Sequence, residues 1–273
     1  MRGVHLYTLL DMKNVNAYEN VNAYEKVSNA FSVAPSDTVA GYYETMMDAL
    51  EAAGSLDKCD IFQFMSAHNL ADSQINWSGP GDNDPIAVDT PAWTQYQGFT
   101  STPGPPKGYV DCNYQANSDG IKYKQDDATV IVGTGNTVVD TSEFGGSVGA
   151  GNETRINGWA SGINVRASLN GNYVLIPNIL GKGIGHFGAT RNSPSLFKVW
   201  QNKTSNEQAR DSASVTSRGF LATTANADDA YVELTYKQTR YVWAGGYLTD
   251  IEYGATIDAI EACLDSLGTG LIT

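Results

Sequence analysis

Two amphipathic helices bracket about 190 residues of strand and turn signals, and this arrangement constrains the fold most. The first helix is predicted over 36–54, with Ser36 as the N-cap. The second is predicted over 249–267, where Thr249 and Glu252 form a T-x-x-E capping box. In both, apolar residues recur at alternating steps of four and three, which gives one apolar face. Each helix must therefore cover an apolar surface, and a β-sheet is the expected partner.

The region between the helices reads as short strands separated by turns. "CDIFQFMSA" and "ATVIVGTG" are apolar runs, and "GINVRASLNGNYVLIP" alternates apolar and polar residues before Asn170-Gly171, a strong hairpin-turn signal. Residues 78–110 are rich in Gly, Pro, Asp and Thr, and we expect them to form loops. Charged residues are only 17% of the chain, while there are 28 Gly and 15 Tyr, which favours a sandwich or barrel.

Composition excludes several classes of partner. The formal net charge of −13 argues against binding to nucleic acid or to anionic lipid, both of which need Lys and Arg. No stretch approaches the roughly 20 apolar residues of a membrane helix, and the N-terminus lacks the features of a secretory leader. The three cysteines are far apart, so we expect free, mostly buried thiols and no zinc site.

The sequence predicts no catalytic residue, cofactor or metal. His68 ends an apolar run where the chain becomes polar, and we assign it a structural role. The E-x-D-x-x-E row that many β-sandwich glucanases use is missing, and Glu153 and Glu233 stand alone in their strands. G-x-S-x-G is also absent. The acidic loop residues at 82–85, 126–127 and 228–229 are either solvated or ligands for calcium.

The candidate binding residues lie in two polar rows. Arg155, Asn157 and Trp159 alternate along one predicted strand, and Asn164 and Arg166 alternate along the next. An aromatic face stacks on the apolar face of a sugar, while amide and guanidinium groups bind its hydroxyls. The sequence therefore predicts a carbohydrate-binding site at these five residues.

Several segments carry a resemblance to a known group of proteins. They are "CDIFQFMSAHNLADSQINW", "GHFGATRNSPSLFKVWQN" and "YVWAGGYLTDIEYGATIDAIEACLDSL", in this order. Over roughly 36–268, the chain resembles a domain that recurs in structural proteins of tailed bacteriophages. It also resembles the wider group with a concanavalin A-like lectin/glucanase fold. The resemblance implies a mainly β, concanavalin A-like β-sandwich (jelly roll), formed by residues 36–273 as a single domain and flanked by the two helices.

The same resemblance implies where the chain is located and what it does. Residues 1–35 lie outside the match, and their tandem hexapeptide "NVNAYE" is either a local duplication in a surface arm or part of an arm that docks on other virion proteins of the head or tail. The chain would be assembled into a virion in the host cytoplasm, as a homo-oligomer. Its role would be a head decoration, fibre or tail-associated adhesin that contacts glycans. A purely architectural cementing protein and, third in order, a polysaccharide depolymerase are the alternatives.

Overall fold

The computed structural model of the chain describes residues 22–102, 108–136, 144–147, 153–160, 164–180, 183–227, 230–234 and 238–272. It describes the backbone alone at 144–147, 159, 225–227 and 230–234.

The described residues form seventeen strands. In chain order they are β1 Cys59–Phe64, β2 Ile86–Val88, β3 Ala92–Thr94, β4 Gly98–Thr100, β5 Tyr109–Asp111, β6 Ala128–Thr134, β7 Phe144–Ser147, β8 Glu153–Ala160, β9 Asn164–Gly171, β10 Val174–Pro177, β11 Gly185–Arg191, β12 Leu196–Gln201, β13 Thr204–Ala209, β14 Leu221–Ala222, β15 Thr224–Ala227, β16 Ala230–Leu234 and β17 Gln238–Gly245.

These strands make two sheets that face each other. Sheet A has eight strands in the order β13-β12-β11-β6-β17-β4-β3, and β1 also pairs with β17. Sheet B has nine strands in the order β10-β9-β8-β7-β14-β5-β2; β15 also pairs with β7, and β16 pairs with β15. Among the described strands, all pairs are antiparallel except β15 with β7. The structure thus confirms the mainly β, two-layer fold that the sequence predicts.

The expectation of loops over 78–110 is wrong in part. This segment contains β2, β3, β4 and β5, which are three residues long each. Strands this short contain too few alternating residues to produce a period-2 pattern, so the turn residues between them dominate the sequence signal.

Three helices lie in the described chain: α1 Ala23–Ser28, α2 Asp37–Ala52 and α3 Asp250–Ser266. The Ser36 hydroxyl accepts a hydrogen bond from the Val39 amide, and Thr249 and Glu252 form the predicted capping box. Both long helices therefore begin where the cap residues place them. Within the described residues, no helix has both the length and the hydropathy needed to span a bilayer.

Apolar side chains form one cluster on each face of sheet A. Val130, Val132 and Val242 lie between the two sheets, whereas Ile131 and Trp243 pack under α2 and α3. This explains the unbroken apolar run of β6, because alternate residues enter different clusters. The central strands of sheet A are thus buried on both faces, and sheet B has the face that the helices do not cover.

The described part of the predicted arm packs against the helical layer. Val27 is fully buried, and the Phe31 ring lies 5.6 Å from the Trp77 ring and 5.2 Å from the His68 ring, between centroids. Residues 22–35 are therefore attached to the body of the domain. Residues 1–21, which include the first "NVNAYE" copy, lie outside the described residues, and docking by the arm stays a prediction.

Candidate functional site

The two predicted polar rows lie side by side on the outer face of sheet B. β8 pairs with β9, and Asn157 is directly opposite Arg166. The alternate residues Ile156, Val165 and Ala167 are in the core between the sheets. Because side chains alternate along a strand, Arg155 and Asn157 of β8 and Asn164 and Arg166 of β9 face away from that core.

The residues of the two polar rows differ in their exposure to solvent. Arg155 and Asn157 are only 7% and 3% exposed, whereas Asn164 and Arg166 are partly exposed. Trp159 lies in β8, and its side chain is outside the described residues. Asn164 and Arg166 are thus the accessible members of the predicted site, and Arg155 and Asn157 lie behind the surface.

A buried carboxylate connects the two arginines. Oε1 of Glu153 lies 3.6 Å from Nη1 of Arg155 and 3.4 Å from Nη2 of Arg166. The Glu153 charge therefore offsets part of the positive charge of the two guanidinium groups and restrains Arg166 at the surface. This is a positioning role for Glu153 and Arg155.

The edge strand β10 and the position before it each add one residue that the sequence did not predict. The Arg166 guanidinium carbon lies 4.0 Å from the centroid of the Tyr173 ring, and Leu175 is paired directly with Arg166. Tyr173 and Leu175 are 46% and 49% exposed. We call Asn164, Arg166, Tyr173 and Leu175 the Arg166 platform. The segment "YVLIP" is apolar or aromatic throughout, so the sequence contains no sign that Leu175 is exposed while Val174 and Ile176 enter the core.

A buried asparagine holds the β9–β10 connection in place. Asn170 has a φ of 55°, and its Oδ1 accepts a 2.8 Å hydrogen bond from the Tyr123 hydroxyl. Its amide nitrogen donates to the backbone oxygens of Lys124 and Gln125 at 3.1 and 2.9 Å. The left-handed backbone explains the asparagine at this turn. These contacts fix the chain three residues before Tyr173 and so position the platform.

The His68 ring has structural partners. Its Nε2 lies 2.6 Å from the Val33 backbone oxygen and 3.0 Å from Oδ2 of Asp72, and the residue is 9% exposed. These contacts fasten the segment before α2 to the end of β1. They agree with the structural role predicted for His68.

The described residues contain no group of three or more His, Cys, Asp or Glu side chains that could hold a metal ion. In the 82–85 loop, the Asp84 carboxylate accepts hydrogen bonds from the backbone amides of Asn76 and Gly81 at 2.7 and 3.1 Å. This carboxylate therefore shapes its own loop. Residues 228–229 lie outside the described residues.

Comparisons with known proteins bear on the fold. No protein-family model and no curated protein matches the chain. Among solved structures, the botulinum neurotoxin serotype D binding domain superposes with a TM-score of 0.52 at 12% identity, covering 74% of this chain and 52% of that chain. A structure of botulinum neurotoxin type C, whose cell entry depends on interaction with two ganglioside molecules, gives 0.53 at 10% identity, covering 77% and 53%. The fold is a jelly-roll β-sandwich.

A third neighbour is domain 4 of AbnA, a GH43 extracellular arabinanase from Geobacillus stearothermophilus, in complex with arabinotriose. It covers 73% of this chain and 98% of its own length, with 12% identity and a TM-score of 0.43. The chain spans about half the length of the two neurotoxin structures. At these identities the likeness to the two neurotoxin structures establishes the fold alone.

Proposed function

We propose that this chain is a lectin-like, carbohydrate-binding β-sandwich that contacts glycans through the Arg166 platform. The observation that carries the proposal is the asymmetry of the two sheets. Helices cover sheet A, whereas sheet B presents a guanidinium, an amide, an aromatic ring and an aliphatic side chain together on its outer face. The ganglioside dependence of the type C neurotoxin supports the same ligand class.

The platform has the chemical groups that a sugar requires. Exposed surfaces of Tyr173 and Leu175 suit the C–H face of a pyranose ring, and Asn164 and Arg166 suit its hydroxyls. The Tyr173 ring and Glu153 restrain the Arg166 guanidinium before any ligand arrives, which lowers the entropic cost of binding.

The platform supports binding without hydrolysis. A glycosidase needs two carboxylates on either side of the scissile bond. Glu153 is the carboxylate that the described residues place beside the platform, and two arginines contact it. The two guanidinium groups engage the Glu153 carboxylate, and the described residues therefore do not place it as one of two carboxylates that flank a bound sugar.

We also propose where the chain is located. The resemblance of residues 36–268 to phage structural proteins supports a role as a head decoration, fibre or tail-associated adhesin of a tailed bacteriophage. Residues 1–35 would join other virion proteins, and a homo-oligomer on the particle would multiply weak binding at each platform. The particle is thus the proposed location of the chain.

A glycan array tests the ligand class. The wild-type chain is compared with Arg166→Ala and with Lys203→Ala, which removes one positive charge on the helix-covered side. We expect binding to a subset of glycans, a loss of roughly tenfold or more for Arg166→Ala, and no change for Lys203→Ala. If the wild-type chain binds no glycan on the array, the purely architectural role is the one that remains.

Purified phage particles test this proposed location. We expect the chain in the particle by mass spectrometry, and we expect a chain that starts at residue 22 to be incorporated poorly while it still folds. Incorporation of this truncated chain at the wild-type level would contradict docking through the segment before α1.

A further inference from the structure

A cavity of about 490 Å³ opens at a second place on the molecule. Four segments meet there: the residue before β1, the loop that leads into β6, the connection between β11 and β12, and the residues between β17 and α3. Its volume lies in the range of small-molecule sites. The cavity and the Arg166 platform have no residue in common.

Lysines are concentrated at this cavity. Lys58, Lys122 and Lys124 line it, which is three of the ten lysines of a chain with a net charge of −13. Lys58 Nζ pairs with the Glu252 carboxylate at 2.7 and 2.8 Å, and Lys124 Nζ donates to the Gly120 backbone oxygen at 2.7 Å. In the described part of the chain, the Lys122 ammonium makes no hydrogen bond or ion pair. Two exposed ammonium groups therefore have N–H donors to offer an anionic ligand.

The cavity also has apolar surface and hydrogen-bond acceptors. Ile121 is 76% exposed, and Tyr247 is partly exposed. The carboxylates of Asp126 and Asp127 and the amide of Asn192 complete the lining. A ligand that fits needs an anionic group, hydroxyl donors and an apolar face. A simple inorganic anion provides only the first of these, whereas a sugar acid provides all three.

Hydrogen bonds donated by backbone amides hold the cavity walls together. The Gly246 amide donates to the Lys58 oxygen at 2.8 Å, which joins the segment before α3 to the start of β1. The Tyr247 amide donates to Oδ1 of Asp127 at 2.6 Å, and the Lys122 amide donates to Oδ1 of Asp60 at 2.9 Å. The walls are thus fixed in the absence of ligand, so little ordering is needed on binding.

We propose that this cavity binds an acidic saccharide. The sugar carboxylate lies against the ammonium groups of Lys122 and Lys124, and the ring lies against Ile121 and Tyr247. Asp126 and Asp127 accept hydrogen bonds from the sugar hydroxyls. The inference goes beyond the Arg166 platform and does not depend on it.

Titration of the full-length chain by NMR tests this site. The probes are methyl glucuronide and methyl galacturonide, with methyl glucoside and methyl galactoside as neutral counterparts and acetate as the carboxylate without a ring. We expect amide shifts over 121–127 and 246–247 with the two sugar acids. Their affinity should exceed that of the neutral sugars and of acetate by roughly tenfold, and it should fall at high salt.

Matched variants measure the contribution of the two exposed lysines. The double variant Lys122→Gln/Lys124→Gln should lose roughly tenfold in affinity for the sugar acids, while Lys203→Gln should match the wild type. Equal binding of neutral sugars, equal binding of acetate, an unaffected double variant or no shifts with either acid would each overturn the proposal. Arg166→Ala leaves this site intact, so failure of the platform and failure of the cavity are separate results.

Discussion

Nε2 of His186 lies 2.8 Å from Oε2 of Glu261, and this contact joins β11 to α3 inside the protein. Nδ1 of His186 lies 2.6 Å from the Tyr241 hydroxyl, which brings β17 into the same chain of contacts. Oε1 of Glu261 accepts hydrogen bonds from the amides of Leu271 and Ile272 at 2.6 and 2.5 Å. One carboxylate thus fastens the last described residues to the helical layer and to sheet A.

Glu261→Gln should destabilise the protein in a pH-dependent way. Burial raises the pKa of Glu261, but the hydrogen bonds from His186 and from the Ile272 and Leu271 amides outweigh burial, so the pKa lies below its ordinary value of 4.5. A carboxyl whose pKa is lower in the folded state stabilises that state above the unfolded pKa, and this stabilisation is lost as the pH falls through the folded pKa. At pH 7 we expect a loss of about 3 kcal/mol in the free energy of unfolding.

Urea denaturation of wild type and Glu261→Gln between pH 3 and pH 7 measures this difference. The difference should shrink as the pH falls below about 4.5. Asp258→Asn is the control. Asp258 is on the same helix as Glu261 and forms an exposed ion pair with Lys203, so this substitution should lower the free energy of unfolding by less than about 1 kcal/mol. A constant difference across the pH range would contradict the account of Glu261.

Gly188→Ala should destabilise the packing of α3 on sheet A. A Cβ atom at Gly188 would lie 2.5 Å from the Tyr253 hydroxyl oxygen and 2.8 Å from the Val130 backbone oxygen. Because the backbone oxygen belongs to the neighbouring strand, it cannot move freely, and we expect a loss of about 1–3 kcal/mol. Chemical denaturation checks this value.

Gly254→Ala is the matched control for this prediction. Gly254 lies within α3, and a Cβ atom there would meet nothing closer than the Lys203 side chain at 4.0 Å. Alanine should therefore stabilise the protein by about 0.5–1 kcal/mol through helix propensity. Equal effects of the two substitutions would rule out close packing at Gly188.

The three cysteines should resist thiol reagents in the native protein. Cys59, Cys112 and Cys263 are free and buried. Burial raises the pKa of all three thiols, to about 12 for Cys263, so little thiolate forms at pH 8. Reaction with Ellman's reagent should be slow before unfolding and should reach three thiols per chain after it. The exposed Ser205→Cys variant should add one fast thiol, and fast native labelling of the wild type would contradict the prediction.

Local signals in the sequence predicted much of this fold. Ser36 and Thr249 mark helix starts because capping depends on residues within one turn. Asn170-Gly171 marks the β9–β10 connection because the turn needs a left-handed backbone. The sequence also predicted free, mostly buried thiols, because the three cysteines are far apart, and the structure confirms this for all three.

Features that depend on strand order could not be predicted. Arg155 and Arg166 have similar sequence surroundings, but β8 is an inner strand and β9 lies next to the edge, so their exposure differs. The cavity brings Lys58 to Tyr247 because β1 pairs with β17. His186 and Glu261 are 75 residues apart, and their contact exists only once α3 packs on sheet A.

A crystal structure of the chain with the glycan that binds most strongly on the array would show whether the Arg166 platform is the binding surface. We predict the saccharide on the outer face of sheet B, with a ring within about 4 Å of Tyr173 or Leu175 and a hydroxyl bonded to the Arg166 guanidinium. A saccharide bound on the helix-covered side, with the Arg166 platform empty, would contradict it.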